Sequence, residues 1–197
     1  MPIILMVVFA ISRYPGLMPS NFSATYALMF CAGVYFPGRL AWWLPVVTMF
    51  VTDLLLNGLY YHVSLVVPET LGNYAVYALL VWLGRRFSAR SPFLALLGGG
   101  ILGALLFYFI TNTISWLSDP AYAKTLAGWI IALTKGSAGW PQTWEFFRNS
   151  MLSTGLFTGL FAGAMKLLEA AEPAEAEAQA EEPAGEKSEE QPEEAKA

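Results

Sequence analysis

Long apolar runs separated by short polar breaks dominate the first 168 residues of the chain. The runs are residues 3–12, 22–36, 40–56, 70–84, 93–117 and 149–168. Hydrocarbon holds no water to satisfy backbone amides, so a spanning segment must be a helix of roughly 20 residues or a strand of a closed barrel. Barrel strands read as ~10-residue stretches of alternating character, whereas these runs are continuous. The pattern predicts an all-α, polytopic membrane bundle of six transmembrane helices over residues 1–168. Residues 93–117 carry no charge, and 149–168 carry only Lys166 at their end. Several other runs are short for a crossing, which predicts helices packed in a compact bundle. A seventh run, 126–133, is too short to cross alone and reads as a re-entrant or interfacial segment.

Residues 3–12 admit three readings: a full span, a truncated span or a cleaved leader. Ala10-Ile11-Ser12 would serve as a cleavage sequence. The run lacks the preceding positive charge that a leader requires, which favours a span.

Composition sharpens the picture. Apolar residues make up 56% of the chain and charged residues only 13%, about half the charged share of a soluble domain. The net charge of −4 joins two unlike parts. Residues 169–197 hold eleven glutamates and two lysines, while residues 1–168 hold four acids and nine bases. The segment 169–197, rich in Ala, Glu, Pro and Gln, cannot bury a core, so it is expected to be a disordered acidic tail. Cys31 has no partner for a disulfide and reads as a small packing residue.

Lys and Arg in short loops set orientation. Arg85, Arg86 and Arg90 between the fourth and fifth runs form the densest set. A cytoplasmic position for them, with six spans, puts both termini in the cytoplasm and the protein in a bacterial inner membrane. Trp42, Trp43 and Trp82 then fall at the inner interface, and Trp116, Trp140 and Trp144 at the outer one, as aromatic belts require.

Polar groups inside a bilayer are costly, so their placement is the main functional signal. Asn21 opens the second span on the outer side. Asp53 and Asn57 end the third span, four residues apart and therefore on one helical face. Tyr108, Asn112 and Trp116 repeat every four residues near the outer end of the fifth span. Asn73 and Asn149 open the fourth and sixth spans, and His62 lies in an outer loop. This distribution predicts a pocket open to the outside and floored by apolar packing. Each residue also has a plainer role: Asp53 hydrated at the interface, Asn112 bonded to a neighbouring helix, Tyr108 and Trp116 in core or belt. Gly99 with Gly103, and Gly155 with Gly159 and Gly163, place small residues four apart, the spacing of close helix contact. Packing within the bundle is the favoured reading of both stripes over contact with another subunit.

Enzyme motifs are missing. The chain contains no Walker A loop, no GxGxxG placed before a helix, no HExxH and no GxSxG. No second histidine accompanies His62 to build an imidazole-rich metal site. The dispersed charges of the body make no nucleic-acid footprint. The expectation is a non-enzyme with no cofactor and no metal.

Two stretches carry a family resemblance: Pro19-Ser20-Asn21-Phe22-Ser23-Ala24-Thr25-Tyr26-Ala27-Leu28 with Gly33-Val34-Tyr35-Phe36, and Phe107-Tyr108-Phe109-Ile110-Thr111-Asn112-Thr113-Ile114-Ser115-Trp116-Leu117. Supporting pieces are Pro45 with Asp53-Leu54-Leu55-Leu56, Lys124-Thr125-Leu126-Ala127-Gly128 and Phe146-Phe147-Arg148-Asn149-Ser150. Together, over most of residues 14–168, they resemble an uncharacterised bacterial family of small membrane proteins regarded as candidate transport proteins. That family is similar to the substrate-binding (S) components of energy-coupling factor (ECF) transporters. Ala24 stands where its pattern has proline, and the acidic tail lies outside it. The resemblance implies six helices, cytoplasmic termini and an outer pocket for a vitamin or related micronutrient. It also implies a coupling membrane subunit and two ATPases as partners. Asn21, Asn112 and Trp116 are the site candidates it supports, with Asp53 and Tyr108 added by the polar pattern. The alternatives are an accessory structural subunit of a membrane assembly, with glycine stripes and tail as interaction surfaces, or a stand-alone carrier.

Overall fold

The computed structural model describes residues 2–62 and 68–181. Among them every regular element is helical: α1 (Pro2–Ser12), α2 (Thr25–Tyr35), α3 (Leu40–Leu55), α4 (Pro68–Gly84), α5 (Phe93–Ser118), α6 (Leu126–Thr134) and α7 (Thr143–Glu181). The apolar runs thus become helices in the order expected, and the short run 126–133 becomes the nine-residue α6. Three helical stretches are long and apolar enough to cross a membrane: Leu40–Tyr61, Phe93–Ser118 and Thr143–Ala170. Ile3–Ser12, Thr25–Tyr35 and Leu71–Gly84 form shorter apolar helices. Such lengths and compositions mark a membrane protein.

The chain divides into two compact units, Met1–Gly163 and a second beginning at Ala164. In the second, α7 continues to Glu181, so the start of the acidic segment is helical rather than disordered. Alanine and glutamate are both strong helix formers, so an existing helix can propagate through them. Residues 182–197, the rest of the acidic tail, lie outside the described residues.

In the first unit, α2 is the central rod. Every residue from Thr25 to Gly33 is buried, as expected of a helix that is apolar all round. Phe9, Leu28, Met29, Phe30, Cys31, Leu80 and Leu96 are fully enclosed. Cys31 is therefore a packing residue, as its context predicts.

Two glycines decide how closely α2 and α4 approach. A Cβ at Gly33 would strike the Val81 carbonyl oxygen, and one at Gly84 would strike that of Phe30. Neither position belongs to the stripes singled out by spacing. Of those, Gly99 packs on the Phe30 and Phe87 rings, and a Cβ at Gly103 would lie 3.2 Å from Leu80 Cδ2. On α7 the expectation fails. Gly155 and Gly163 face open space, and a Cβ at Gly159 would make only ordinary contacts with Phe93 and Leu97. The packed face of α7 is instead Ser153, Thr154, Phe157, Thr158, Phe161 and Ala162. Thr158 lies against Gly100 of α5.

α3 does not end as a regular α-helix. It runs into a π-helical turn, Leu56–Tyr61, closed by His62 in the left-handed region at φ 51°. The wider winding changes the register after Leu55. Asp53 and Asn57 therefore serve different surroundings despite their spacing of four.

Candidate functional site

Contacts between helices gather the predicted polar positions at one end of the first unit. The ends of α1, α3 and α5 meet the starts of α2, α4 and α7 there. Asn149 Nδ2 donates to the Ser20 carbonyl at 3.0 Å. The Ser12 hydroxyl donates to Phe9 O at 2.8 Å and accepts from the Ala24 backbone N–H at 3.0 Å, tying α1 to the entry of α2. The opposite end holds the Gly33–Gly84 contact and the Phe30, Phe87 and Gly99 cluster.

Asp53 is part of an interhelical ion pair. Arg13, one residue past α1, places Nη2 at 2.6 Å from Asp53 Oδ1. Its Nη1 donates to the Thr52 hydroxyl and, at 3.4 Å, to the Met49 carbonyl. The guanidinium also lies 5.7 Å from the Phe9 ring centre. On the other side, the Tyr74 hydroxyl donates to Asp53 Oδ2 at 2.8 Å. An aromatic chain continues inward: Tyr74 meets Tyr77 edge-on at 5.7 Å, and Tyr77 stacks on Phe107 at 5.5 Å. Asp53 is thus neither a simple hydrated interface residue nor an open ligand group. Arg13 is the residue that sequence spacing could not supply. A lone acid within a span does call for a cation, but the partner lies 40 positions away.

Two polar cavities occupy this end, and they divide the predicted site. The first, about 330 Å³, is lined by Ser12, Arg13, Asn21, Ser23, Asn57 and Tyr60 among others. Asn21 sits at φ 58°, a left-handed conformation that asparagine tolerates better than most residues. The second, about 420 Å³, lies at the end of α5, with Asn112, Ser115, Asp119, Tyr122 and Ser137 in its lining. A smaller cavity of about 170 Å³ adjoins it and shares Asn112, Tyr122 and Ser137, adding Trp140, Thr143 and Phe146. Asn21 and Asn112 therefore line separate cavities.

The α5 groove is well fixed. Asp119 Oδ1 accepts from the Ala121 N–H at 2.8 Å. Ser137 Oγ lies 3.3 Å from Asp119 Oδ2 and 3.0 Å from the Tyr122 hydroxyl oxygen. Gly136 and Gly139, at φ 75° and 88°, make the turn that returns the chain to α7. Asn112 Nδ2 donates to the Tyr108 carbonyl at 2.8 Å, within its own helix. The amide thus uses one of its donors at home while the side chain lines both cavities.

Tyr108 and Trp116 are placed otherwise than as ligand walls. The Tyr108 hydroxyl donates to the Leu133 carbonyl near the end of α6, and its ring leans on Phe147 at 4.6 Å. Trp116 Nε1 donates to the Ala123 carbonyl at 2.9 Å, just before α6. Lys124 Nζ caps the end of α5 by donating to the carbonyls of Trp116 and Asp119. Trp129 Nε1 on α6 reaches Thr113 Oγ1 at 3.0 Å. Tyr108 and Trp116 thus clamp α6 and the segment before it to α5. No group of three or more metal-ligating side chains occurs among the described residues.

Fold and polar end together define an all-helical protein of apolar, membrane-type helices with solvent-open cavities at one end of its main unit. The chain belongs to a family of unknown function (DUF6580), whose model matches residues 1–176. Comparison with curated proteins and with solved structures gives no match.

Proposed function

We propose that this protein is a membrane-embedded, non-catalytic substrate-binding subunit that captures a small solute for uptake, in the manner of the S component of an ECF-type transporter. The observation that carries the reading is the α5 groove: a cavity of about 420 Å³ with Asn112, Asp119, Tyr122 and Ser137 around it. Its size lies in the usual range of small-molecule sites, roughly 300–1,000 Å³. At the opposite end α2 and α4 are in close glycine-mediated contact, which suits a one-sided receptor better than a continuous pore. In this reading six helices cross a bacterial inner membrane with both termini inside, a coupling membrane subunit and two ATPases supply the energy, and the solute is a vitamin or related micronutrient. Asn112 and Ser137 orient its polar edge, and Trp140 and Phe146 cover its flat face.

The test is binding of a panel of water-soluble vitamins to the purified full-length protein, followed by tryptophan fluorescence. Asn112→Ala should weaken a bound ligand about tenfold, as loss of one buried hydrogen bond predicts. Absence of any ligand, or a hit indifferent to Asn112→Ala, overturns the assignment. The open face around Gly155 and Gly163 favours a second reading, an accessory subunit of a membrane assembly. A pull-down that recovers a stable complex without ATPases supports that reading instead.

A further inference from the structure

The cavity at Arg13 has a neighbour of opposite character. Across the end of α1 and α3 runs an apolar groove of about 350 Å³, lined by Ala10, Thr52, Leu55 and Leu59 together with Arg13 and Tyr60. Arg13, Tyr14, Pro15, Leu56 and Tyr60 line both this groove and the polar cavity. The two are therefore halves of one amphipathic depression with a guanidinium at the seam. Leu55, Leu59 and Tyr60 are exposed, so the groove opens on the apolar outer face of the helices. The polar half offers the Asn21 and Asn57 amides and the hydroxyl of Ser23. Arg13 is the one charged side chain in the two linings; Asp53 engages its Nη2, and Thr52 and Met49 engage its Nη1.

We infer that this depression holds one membrane phospholipid with an anionic, hydroxylated headgroup. Its phosphate lies at Arg13, its head hydroxyls at Asn21 and Asn57, and an acyl chain along Leu55 and Leu59. The arrangement matches the lipid part by part: an apolar track for the upper part of an acyl chain, a cation where the phosphate sits, then neutral hydrogen-bonding groups where a glycerol head sits. Of the five guanidinium donors, three serve Asp53, Thr52 and Met49, and a second anion meets the remaining two on the Nε side of the fork. The site is distinct from the α5 groove and stands whether or not that groove binds a solute.

The experiment is photocrosslinking of the full-length protein in detergent with trace phosphatidylglycerol bearing a diazirine on its acyl chain, with adducts mapped by peptide mass spectrometry. Adducts are expected on residues 10–15 and 52–60. They should be displaced by unlabelled phosphatidylglycerol, but not by equal glycerol 3-phosphate or phosphatidylcholine. Arg13→Gln strands Asp53 and risks unfolding, so Asn57→Leu and Leu59→Asp, which leave the ion pair intact, carry the test. Each should lower the yield about tenfold, the effect of losing one well-made polar or apolar contact. Adducts spread over Leu152, Leu156 and Leu160, equal competition by phosphatidylcholine, displacement by glycerol 3-phosphate, or yields unchanged in both variants would each overturn the assignment.

Discussion

Arg13 sits just beyond α1, yet its guanidinium reaches Asp53 on α3 and Asp53 in turn holds Tyr74 on α4. Three helices therefore meet through one carboxylate. Both side chains are mostly but not fully enclosed, at 16% and 20% exposure, so the pair is more than a surface contact and less than a fully buried one. Removing one partner of a buried pair strands the other charge, which is worse than removing both. Arg13→Gln should lower stability by roughly 2 kcal/mol, between the surface and buried limits. Arg13→Gln with Asp53→Asn should recover part of that loss. Thermal unfolding in detergent checks both; a double variant no more stable than the single one excludes stranded charge as the cause. At this scale the sequence revealed that the polar groups gather at one end, and that Asp53, Asn21 and Asn112 are among them. It could not reveal pairing. Nothing local ties Arg13 to a residue 40 positions on. The π-helical turn hid for the same reason, since its sequence, Leu56 to Tyr61, carries no signature that separates it from α-helix.

At the scale of elements, helix existence was legible from apolar runs, and helix contact was only half legible. Gly99 and Gly103 pack as their spacing suggests, but Gly155 and Gly163 do not. Spacing identifies a smooth face without saying what meets it. The tightest approach uses Gly33 and Gly84, isolated in sequence and aligned only once α2 and α4 lie side by side. Gly33→Leu and Gly84→Leu should each destabilise by about 3 kcal/mol or more, because carbonyl oxygens rather than flexible side chains occupy the space. Gly155→Ala and Gly163→Ala should be neutral or stabilising by roughly 0.5–1 kcal/mol, as alanine favours a helix over glycine. Unfolding midpoints of the four variants decide the matter; a large loss at Gly155 would mean that another chain covers α7. Tyr108 and Trp116 pose a related contrast. Their repeat along α5 suggested a ligand platform, whereas their polar atoms reach carbonyls at either end of α6. Tyr108→Phe and Trp116→Phe should each weaken that clamp by about 1 kcal/mol, the net value of a typical hydrogen bond. Faster hydrogen exchange in Leu126–Thr134, with α2 amides unchanged, is the expected readout.

For the molecule as a whole, direction along the membrane follows from which loops share an end. The turn between α6 and α7 belongs to the polar, cavity-bearing end, together with the ends of α1, α3 and α5. The loop between α4 and α5 belongs to the opposite end and carries Arg85, Arg86 and Arg90, with Arg86 stacked over Trp82 at 4.4 Å. Arginines this concentrated in a short loop resist translocation, whereas the basic residues of the polar end, Arg13, Lys124, Lys135 and Arg148, are dispersed and Arg13 is already paired. The cavities should therefore open outward. A cysteine placed at each end tests this in intact bacteria, in a Cys31→Ala background whose native thiol is buried. Ala138→Cys, exposed in the turn before α7, should react with a membrane-impermeant maleimide on intact cells. Ser88→Cys, exposed in the arginine loop, should react only after permeabilisation. Labelling of both from one side would mean that the helices between them make an even number of crossings, and the six-span arrangement would fail. Labelling with the sides exchanged would keep the crossings but turn the cavities toward the cytoplasm, where a receptor for external solutes has no use.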